Sequence, residues 1–218
     1  MKQLVIFDLD GTLLNTISDL GNACNYALEK KGYLEHPINA YNYMVGNGVV
    51  NLMRRAAPDA TEEQLQELLV LFREYYDEHC TDDTVPYPGI PELLEKLNSM
   101  GVKLAVSSNK YQKAVDKIIG HFFPDIPFVA VFGEQEGIPR KPDPSIVFAI
   151  LNESPTPKRD VMMIGDSAVD IETARRACID SVGVTWGFRP VSELRKAFAD
   201  QIVSKASEIL PLVEETKY

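Results

Sequence analysis

Two carboxylates close the first apolar segment of the chain. Residues 4–7 are large and apolar, and Asp8, Asp10, Gly11 and Thr12 follow, with one leucine between the acids. A short run rich in β-branched and aromatic residues that ends at a turn is typical of a central strand in a parallel sheet. Parallel sheets place ligand chemistry just beyond the carboxyl ends of their strands, so Asp8 and Asp10 are candidate site residues.

Polar groups also follow later predicted strands. They are Ser108 with Asn109, Lys141, and Asp166 with Asp170. Because the carboxyl ends of parallel strands converge on one edge of the sheet, these side chains should lie close to the first two aspartates. Several carboxylates beside one lysine and one hydroxyl are what a hard divalent cation and a phosphoryl group together require, and such oxygen ligands favour Mg²⁺. The pattern therefore predicts a Mg²⁺ site at which a phosphoryl group binds.

The spacing of apolar residues predicts helices in the first part of the chain and alternating helices and strands after it. The early helices are 16–31, one that begins after Gly48, and 61–76. The turn 86–89 contains two prolines and a glycine, which can extend neither a helix nor a central strand. Beyond it we predict strands 102–107, 128–132, 160–165 and 180–184 and helices 91–100, 112–120, 143–151 and 167–177. This alternation predicts an α/β fold, a doubly wound, Rossmann-like parallel sheet with an inserted helical segment.

The composition restricts the partners of the protein. The 218 residues carry a formal net charge of −10, which argues against nucleic acid or an anionic membrane surface as a partner. No apolar stretch reaches the about 18 residues of a membrane-spanning helix, and no signal-peptide core is found, so we expect a cytoplasmic location. The three cysteines are scattered, which predicts buried reduced thiols rather than disulfides or zinc ligands. The sequence leaves the oligomeric state open.

In chain order, the polar groups resemble the four motifs of the haloacid-dehalogenase-like hydrolases, specifically of their phosphoglycolate-phosphatase-like branch. The matching segments are 8–12, Ser108–Asn109, Lys141 with Pro142 and Pro144, and 165–170. The resemblance covers nearly the whole chain, and the helical insertion corresponds to the cap of the family. It implies a catalytic α/β core of residues 1–14 and 86–218 and a helical cap domain of residues 15–85. The chain departs from the family pattern at Asn15 and Thr16, where an acidic residue and a serine often follow the first motif.

The resemblance implies a different role for each acidic residue. Asp8 would attack phosphorus in line and form an aspartyl-phosphate, while Asp10 would protonate the leaving alcohol and then take a proton from the hydrolytic water. Asp8 and Asp166 would bind Mg²⁺ through their side chains, and Asp10 through its backbone carbonyl. Asp170 would hold metal-bound waters or orient Lys141, which would offset the repulsion between the phosphoryl group and the carboxylates.

The remaining motif residues would bind the substrate. Ser108 would donate a hydrogen bond to the phosphoryl group, and Asn109 would bind the same oxygens or cap the following helix. A register error of one residue would move the functional hydroxyl to Ser107. Gly11 and Thr12 would form the turn that lets backbone amides approach the phosphate.

In the cap, a glycine-rich turn precedes a predicted helix. Gly46, Asn47 and Gly48 would present backbone donors at the positive end of that helix, and Arg54 and Arg55 follow about two turns later. A carboxylate such as that of phosphoglycolate could bind here, and a plain turn with two solvated arginines is an equal alternative. Only one of the two arginines can face the site.

The predicted function is Mg²⁺-dependent hydrolysis of small phosphomonoesters, with phosphoglycolate as the first candidate and a cap that closes to exclude water. The four motifs fit equally well a phosphomutase similar to β-phosphoglucomutase, or a pyrophosphatase. A non-enzymatic alternative is a signalling module that accepts a phosphoryl group on Asp8, which the helical insertion and the length disfavour. The expected partner is a small-molecule phosphate ester.

Overall fold

The strands form one large parallel sheet and one short antiparallel ribbon. This computed structural model describes residues 1–215. In chain order the strands are β1 (Leu4–Phe7), β2 (Leu14–Asn15), β3 (Val85–Pro86), β4 (Lys103–Tyr111), β5 (Phe128–Glu134), β6 (Val161–Gly165), β7 (Asp180–Val184) and β8 (Gln201–Val203). The large sheet has the order β5-β4-β1-β6-β7-β8, and all of its pairs are parallel. Strand β1 therefore lies at the centre, between β4 and β6.

Both faces of the sheet are covered. Leu4, Val5, Ile6 and Phe7 have no exposed surface, and they alternate between two hydrophobic clusters. Val5 and Phe7 belong to one cluster, Leu4 and Ile6 to the other. Successive side chains of a strand point to opposite faces of the sheet, so β1 is apolar throughout because it meets a packed layer on each side.

The helices surround this sheet and form a separate insertion. They are α1 (Ile17–Lys30), α2 (Val49–Ala56), α3 (Glu62–His79), α4 (Ile90–Ser99), α5 (Gln112–Phe122), α6 (Ser145–Glu153), α7 (Ala168–Ala177), α8 (Val191–Lys196) and α9 (Ile209–Glu214). Helices α1 to α3 lie between β2 and β3, which pair with each other, so the chain leaves and re-enters the core side by side. We call α1 to α3 and their connecting loops the cap; its bounds at residues 15 and 85 stay a prediction.

Within residues 1–215, no helix has both the length and the apolar character needed to cross a membrane.

The structure extends two parts of the sheet beyond the predicted elements. Strand β4 continues past its predicted end at Ser107, because pairing with β5 resumes after a register shift, with Tyr111 opposite Glu134. Helices α8 and α9 and strand β8 follow the last predicted strand. Strand β8 pairs in parallel with β7 and so adds an edge strand that was not predicted.

Two smaller expectations were wrong. Helix α6 begins two residues later than predicted, at Ser145, with Pro144 at its N-cap position. Asp143 lies before the helix, and its carboxylate accepts a hydrogen bond from the Ser145 amide at 2.9 Å. Cys178 is exposed rather than buried, whereas Cys24 and Cys80 are buried as expected. Cys178 has a left-handed backbone conformation at the C-terminal end of α7, two residues before β7 begins.

Candidate active site

The carboxyl end of β1 meets the ends of β4 and β6 at one edge of the sheet. Phe7 lies opposite Val106 in β4 and opposite Ile164 in β6. The next residue, Asp8, donates its backbone amide to the carbonyl of Ile164 at 2.9 Å. The central strand thus delivers Asp8 to the level at which both neighbouring strands give way to polar residues.

Lys141 connects the first and last motifs through a fully buried ammonium group. Its Nζ donates hydrogen bonds to Asp8 Oδ1 at 2.9 Å, to Asp170 Oδ1 at 2.7 Å and to the carbonyl of Ser107 at 2.8 Å. An ammonium has three N–H donors, so all of them are used. This geometry fixes the lysine and directs its charge at the carboxylate of Asp8.

Asp170 is held at the start of α7 by a capping box. Its Oδ2 accepts hydrogen bonds from the amide of Ser167 at 3.2 Å and from the hydroxyl of the same residue at 2.7 Å. The other oxygen of the carboxylate accepts from Lys141. Because both oxygens have protein donors, the Asp170 side chain is arranged to orient the lysine.

Asp8, Asp166 and Asp170 form a cluster of buried carboxylates. One oxygen from each lies within 4.8 Å of the others. Asp166 Oδ2 also accepts a hydrogen bond from the backbone amide of Phe188 at 2.7 Å. Glycines stand against this side chain, since a Cβ atom on Gly11 or Gly187 would lie 2.4 Å or less from an Asp166 atom. Carboxylate oxygens this close together are suited to binding a hard divalent cation.

The cluster carries more negative charge than its lysine offsets. Burial and the charge of Asp170 raise the pKa of Asp8 from an ordinary 3.8 to about 7, although Lys141 opposes this shift. Burial and the charges of Asp170 and Asp8 also raise the pKa of Asp166 well above its ordinary value. Burial disfavours the charged form of Lys141, but the Asp170 and Asp8 carboxylates outweigh it and raise the pKa of the lysine. The donor set therefore fits a cation that would keep Asp8 and Asp166 ionised.

Asp10 faces different partners from Asp8. Its Oδ1 accepts a hydrogen bond from the hydroxyl of Thr16 at 2.6 Å and lies 2.9 Å from the ammonium of Lys110. Thr16 is one of the positions at which the sequence departs from the family pattern, and its hydroxyl serves to hold Asp10. No pattern in the sequence distinguishes Lys110 from a solvated lysine, because it simply follows the polar residues at a strand end.

Ser108, rather than Ser107, presents its hydroxyl to the pocket between core and cap. The Oγ of Ser108 accepts a hydrogen bond from the amide of Lys110 at 3.2 Å, which leaves its own O–H free to donate. The hydroxyl of Ser107 is buried and has no hydrogen-bond partner among residues 1–215. Ser108 therefore lines the pocket and Ser107 does not, so the alternative register is wrong; the hydrogen bond from Ser108 to the phosphoryl group stays a prediction.

Asn109 has neither of the two expected roles. Its Nδ2 donates to the carbonyls of Gly46 and Lys141, both at 3.1 Å, and its Oδ1 accepts from the amide of Lys141 at 2.9 Å. Helix α5 instead has Tyr111 at its N-cap position. The side chain of Asn109 therefore connects the Lys141 segment of the core to the cap.

The turn after β1 also differs from expectation. The amide of Gly11 donates to the carbonyl of Leu14 at 2.9 Å, and that of Thr12 to the carbonyl of Leu9 at 3.3 Å. Neither amide is free to bind a phosphate in this structure, so the predicted substrate contact is wrong for both. Gly11 is required for another reason: its φ is +83°, and a side chain there would collide with Asp166.

The glycine-rich turn of the cap lies over the site. Gly46 and Gly48 line the same pocket as Asp8 and Asp10, together with Val49 at the start of α2. Asn47 is not among the residues that line this pocket, and its carbonyl accepts a hydrogen bond from Asn51 Nδ2 at 2.8 Å.

Arg54 and Arg55 do not line the pocket, which contradicts the predicted carboxylate contact and agrees with the alternative of two solvated arginines. Arg54 pairs with Glu62 at 2.6 Å, and Arg55 donates to the carbonyl of Met44 at 2.6 Å; both side chains are exposed. The helical phase of α2 explains this result. Its buried residues are Val49, Leu52, Met53 and Ala56. Positions three, four and seven apart share one helix face, so the two arginines lie on the opposite face.

Comparison with known proteins gives the family. The family model described as haloacid dehalogenase-like hydrolase matches residues 5–184. The chain belongs to this family. The phosphoglycolate phosphatase of Psychrobacter arcticus is 34% identical over 207 residues, covering 89% of this chain and 88% of that protein. The phosphoglycolate phosphatase of Aquifex aeolicus is 33% identical over 221 residues, which is 97% of each chain.

Solved structures agree with the fold of this hydrolase. A crystal structure of a protein from Lactobacillus delbrueckii subsp. bulgaricus has a TM-score of 0.91 at 34% identity. The match covers 98% of this chain and 99% of that protein. A second, from Haemophilus somnus, has a TM-score of 0.92 at 29% identity, with 98% of each chain covered. The predicted family and the predicted α/β fold with an inserted helical cap are confirmed.

The pocket of the hydrolase lies between the sheet edge and the cap. Its core side contains the motif residues, and its cap side is apolar, with contributions from Leu20, Leu52, Phe72 and Tyr76. Its volume is about 50 Å³, well below the ~300–1,000 Å³ of pockets that hold drug-sized ligands. With the cap in this position, the cavity is small.

Proposed function

We propose that this hydrolase is a Mg²⁺-dependent phosphatase that cleaves phosphoglycolate through an aspartyl-phosphate on Asp8. The predicted enzyme class, a phosphoric monoester hydrolase, is confirmed by the family and by the relatives. The observation that carries the proposal is the buried arrangement of Asp8, Lys141 and the two further carboxylates at the end of the central strand. Phosphoglycolate is the substrate named for both curated relatives, and its size suits the small pocket.

In the first step, a carboxylate oxygen of Asp8 would form a bond to phosphorus while the ester P–O bond breaks. Asp10 would give a proton to the departing alkoxide oxygen, so that the alcohol leaves neutral. In the second step, water would attack phosphorus and release phosphate from Asp8, and Asp10 would take the proton of that water. Lys141 would stabilise the phosphoryl oxygens, and the hydroxyl of Ser108 would donate to one of them.

The residues present fit a resident Mg²⁺. Asp8 and Asp166 offer carboxylate oxygens to it, and the backbone carbonyl of Asp10 is the third expected ligand. Asp170 has both oxygens engaged by Lys141 and Ser167, which supports an indirect role rather than direct coordination. When bound, Mg²⁺ would neutralise charge on the phosphoryl group and on the carboxylates around it.

The proposed function implies a partner, whereas the location rests on the sequence. The substrate is a small phosphate ester that enters between core and cap. The cytoplasmic location and the exclusion of nucleic acid and membranes stay predictions from the sequence.

A substrate panel tests the proposal. Release of inorganic phosphate is measured from phosphoglycolate, sugar phosphates, nucleotides and pyrophosphate, with Mg²⁺ and with a chelator. We expect kcat/KM to be highest for phosphoglycolate and turnover to stop in the chelator. Highest activity on pyrophosphate, or interconversion of sugar phosphates with little phosphate release, would replace the proposed function by one of the alternatives. Stable phosphorylation of the protein without turnover would indicate a signalling role.

A further inference from the structure

Lys110 is a buried cation in the pocket wall that lies outside the assigned motifs. Its side chain is 4% exposed, and its Nζ contacts Asp10 Oδ1 and the hydroxyl of Tyr76, each at 2.9 Å. The same nitrogen lies 4.8 Å from the centre of the Tyr76 ring. An ammonium has three N–H donors, so one of them has no hydrogen-bond acceptor among the residues that the structure describes.

The two other cations that line the pocket contact protein groups. Lys141 uses all three donors on Asp8, Asp170 and a backbone carbonyl. Arg189 donates to the carbonyl of Val45, lies over the ring of Tyr43 and faces the carboxylate of Glu193 at 3.9 Å. Lys110 is the buried ammonium of this pocket that retains a donor for a ligand.

The position of Lys110 next to Asp10 matters for a short substrate. In the proposed reaction the leaving oxygen must lie beside Asp10, which protonates it. In phosphoglycolate a single methylene carbon separates that oxygen from the carboxylate. A cation that binds the carboxylate must therefore be an immediate neighbour of Asp10, and Lys110 is in contact with it.

We propose that Lys110, with Tyr76 beside it, binds the carboxylate of the substrate. It would thereby select phosphorylated hydroxy acids over phosphate esters that have no carboxylate. This assignment rests on the proposed function and replaces the predicted roles of Arg54 and Arg55. The Tyr76 oxygen accepts from Lys110 and keeps its own O–H as a second donor. Burial and the charge of Asp10 raise the pKa of Tyr76 well above its ordinary value, so the phenol stays protonated.

The site joins the core to the cap. Lys110 belongs to β4 and Tyr76 to α3, so the two donors come together only when the cap lies over the sheet edge. Binding of the carboxylate would therefore favour the closed position, in which the remaining water is excluded from the phosphoryl group.

The test compares two esters that differ in one group. Phosphoglycolate and 2-hydroxyethyl phosphate have the same length, but the second carries a neutral hydroxymethyl group in place of the carboxylate. For Lys110→Met we expect the ratio of kcat/KM values, phosphoglycolate over 2-hydroxyethyl phosphate, to fall about 10- to 100-fold, the range for loss of a hydrogen bond to a charged group. Lys110→Arg, which keeps the charge, should recover part of that ratio.

Lys113→Met is the matched control, because this lysine lies three positions later with 77% of its side chain exposed and pairs with Asp77 instead. It should leave the ratio unchanged. Equal losses on both esters in Lys110→Met would mean that Lys110 only positions Asp10, and would overturn the assignment. No loss on either ester would overturn it as well.

Two further measurements keep the test decisive. Thermal unfolding shows whether Lys110→Met folds; if it does not, Lys110→Gln and Lys110→Arg supply the same comparison of neutral and charged side chains. If the wild-type enzyme itself does not prefer phosphoglycolate, the proposed substrate is wrong and the assignment fails with it. If the wild type prefers it and the variants keep that preference, only the role of Lys110 fails.

Discussion

Asp8 and Asp10 have the same side chain and lie two positions apart, but their surroundings separate their roles. Asp8 lies in a buried cluster with Asp166 and Asp170 and is held by Lys141. Asp10 lies at the edge of that cluster, between Lys110 and a threonine hydroxyl. Burial and like charge thus act on Asp8, the proposed nucleophile, whereas a cation and a hydroxyl donor contact Asp10, the proposed acid and base.

The raised pKa of Asp8 predicts how stability depends on pH when no metal is bound. A carboxyl with a pKa of about 7 in the folded protein and 3.8 ordinarily binds more protons folded than unfolded between these values. The difference in free energy of unfolding, wild type minus Asp8→Asn, should therefore fall as pH rises from about 4 to about 7. The slope should be at most about 1.4 kcal/mol per pH unit.

Urea unfolding in a chelator, at several pH values, measures this difference. Excess Mg²⁺ should reduce the pH trend, because a bound cation stabilises the ionised carboxylate. A difference that stays constant or rises with pH in the chelator would contradict the assigned environment of Asp8.

At the scale of elements, one loop of the cap is attached to the core by side chains from two core segments. Asn109, near the end of β4, donates to the carbonyl of Gly46, and Arg189, after β7, donates to the carbonyl of Val45 at 2.9 Å. Both carbonyls lie just before α2, whose first residues line the pocket. These contacts hold the glycine-rich turn against the sheet edge.

Asn109→Ala should loosen this turn. We expect faster amide hydrogen exchange at residues 46–49, a several-fold higher KM for phosphoglycolate, and unchanged exchange in β1 and β6, because the sheet does not depend on these bonds. Asn98→Ala, an exposed asparagine in α4, is the control. Unchanged exchange at residues 46–49 in the Asn109 variant would show that the side chain does not hold the cap.

The elements that the sequence predicts best are those with a strong periodic pattern. Strand β7 matches its predicted range, and helix α3 begins one residue after its predicted start, with a capping box formed by Thr61 and Gln64. Helices α8 and α9 have six residues each and β8 has three, too few to show a period. The predicted range of strand β4 ends too early, because the last residues of the strand are polar and pairing with β5 resumes only after a register shift.

For the site, spacing identifies the residues but not the atoms that are free to act. The sequence predicts the convergence of Asp8, Lys141 and Asp170, since strand order alone brings strand ends together. It does not show that Asn109 uses its amide on backbone groups, because that depends on the path of a distant loop. Lys110 and its contact with α3 depend on the position of the cap, which no local pattern specifies.

At the scale of the molecule, an acidic protein has two buried lysines at the pocket where an anionic substrate would bind. The chain has a formal net charge of −10, yet Lys110 and Lys141 are both buried at the pocket. Burying charges is costly unless they are paired, and each of these lysines is paired with a motif aspartate. The two lysines thus offset part of the negative charge that the motif aspartates place in this cavity.

The central claim is that Asp8 is the nucleophile of a Mg²⁺-dependent phosphatase. Its most direct test is the rate of phosphate release from phosphoglycolate in Mg²⁺ by wild type and by Asp8→Asn, with thermal unfolding measured on both proteins. We predict that the variant folds and that its kcat/KM falls at least about 1,000-fold, because the proposed mechanism assigns the covalent bond to phosphorus to the Asp8 carboxylate. A folded variant that keeps more than about a tenth of the wild-type rate would contradict the mechanism.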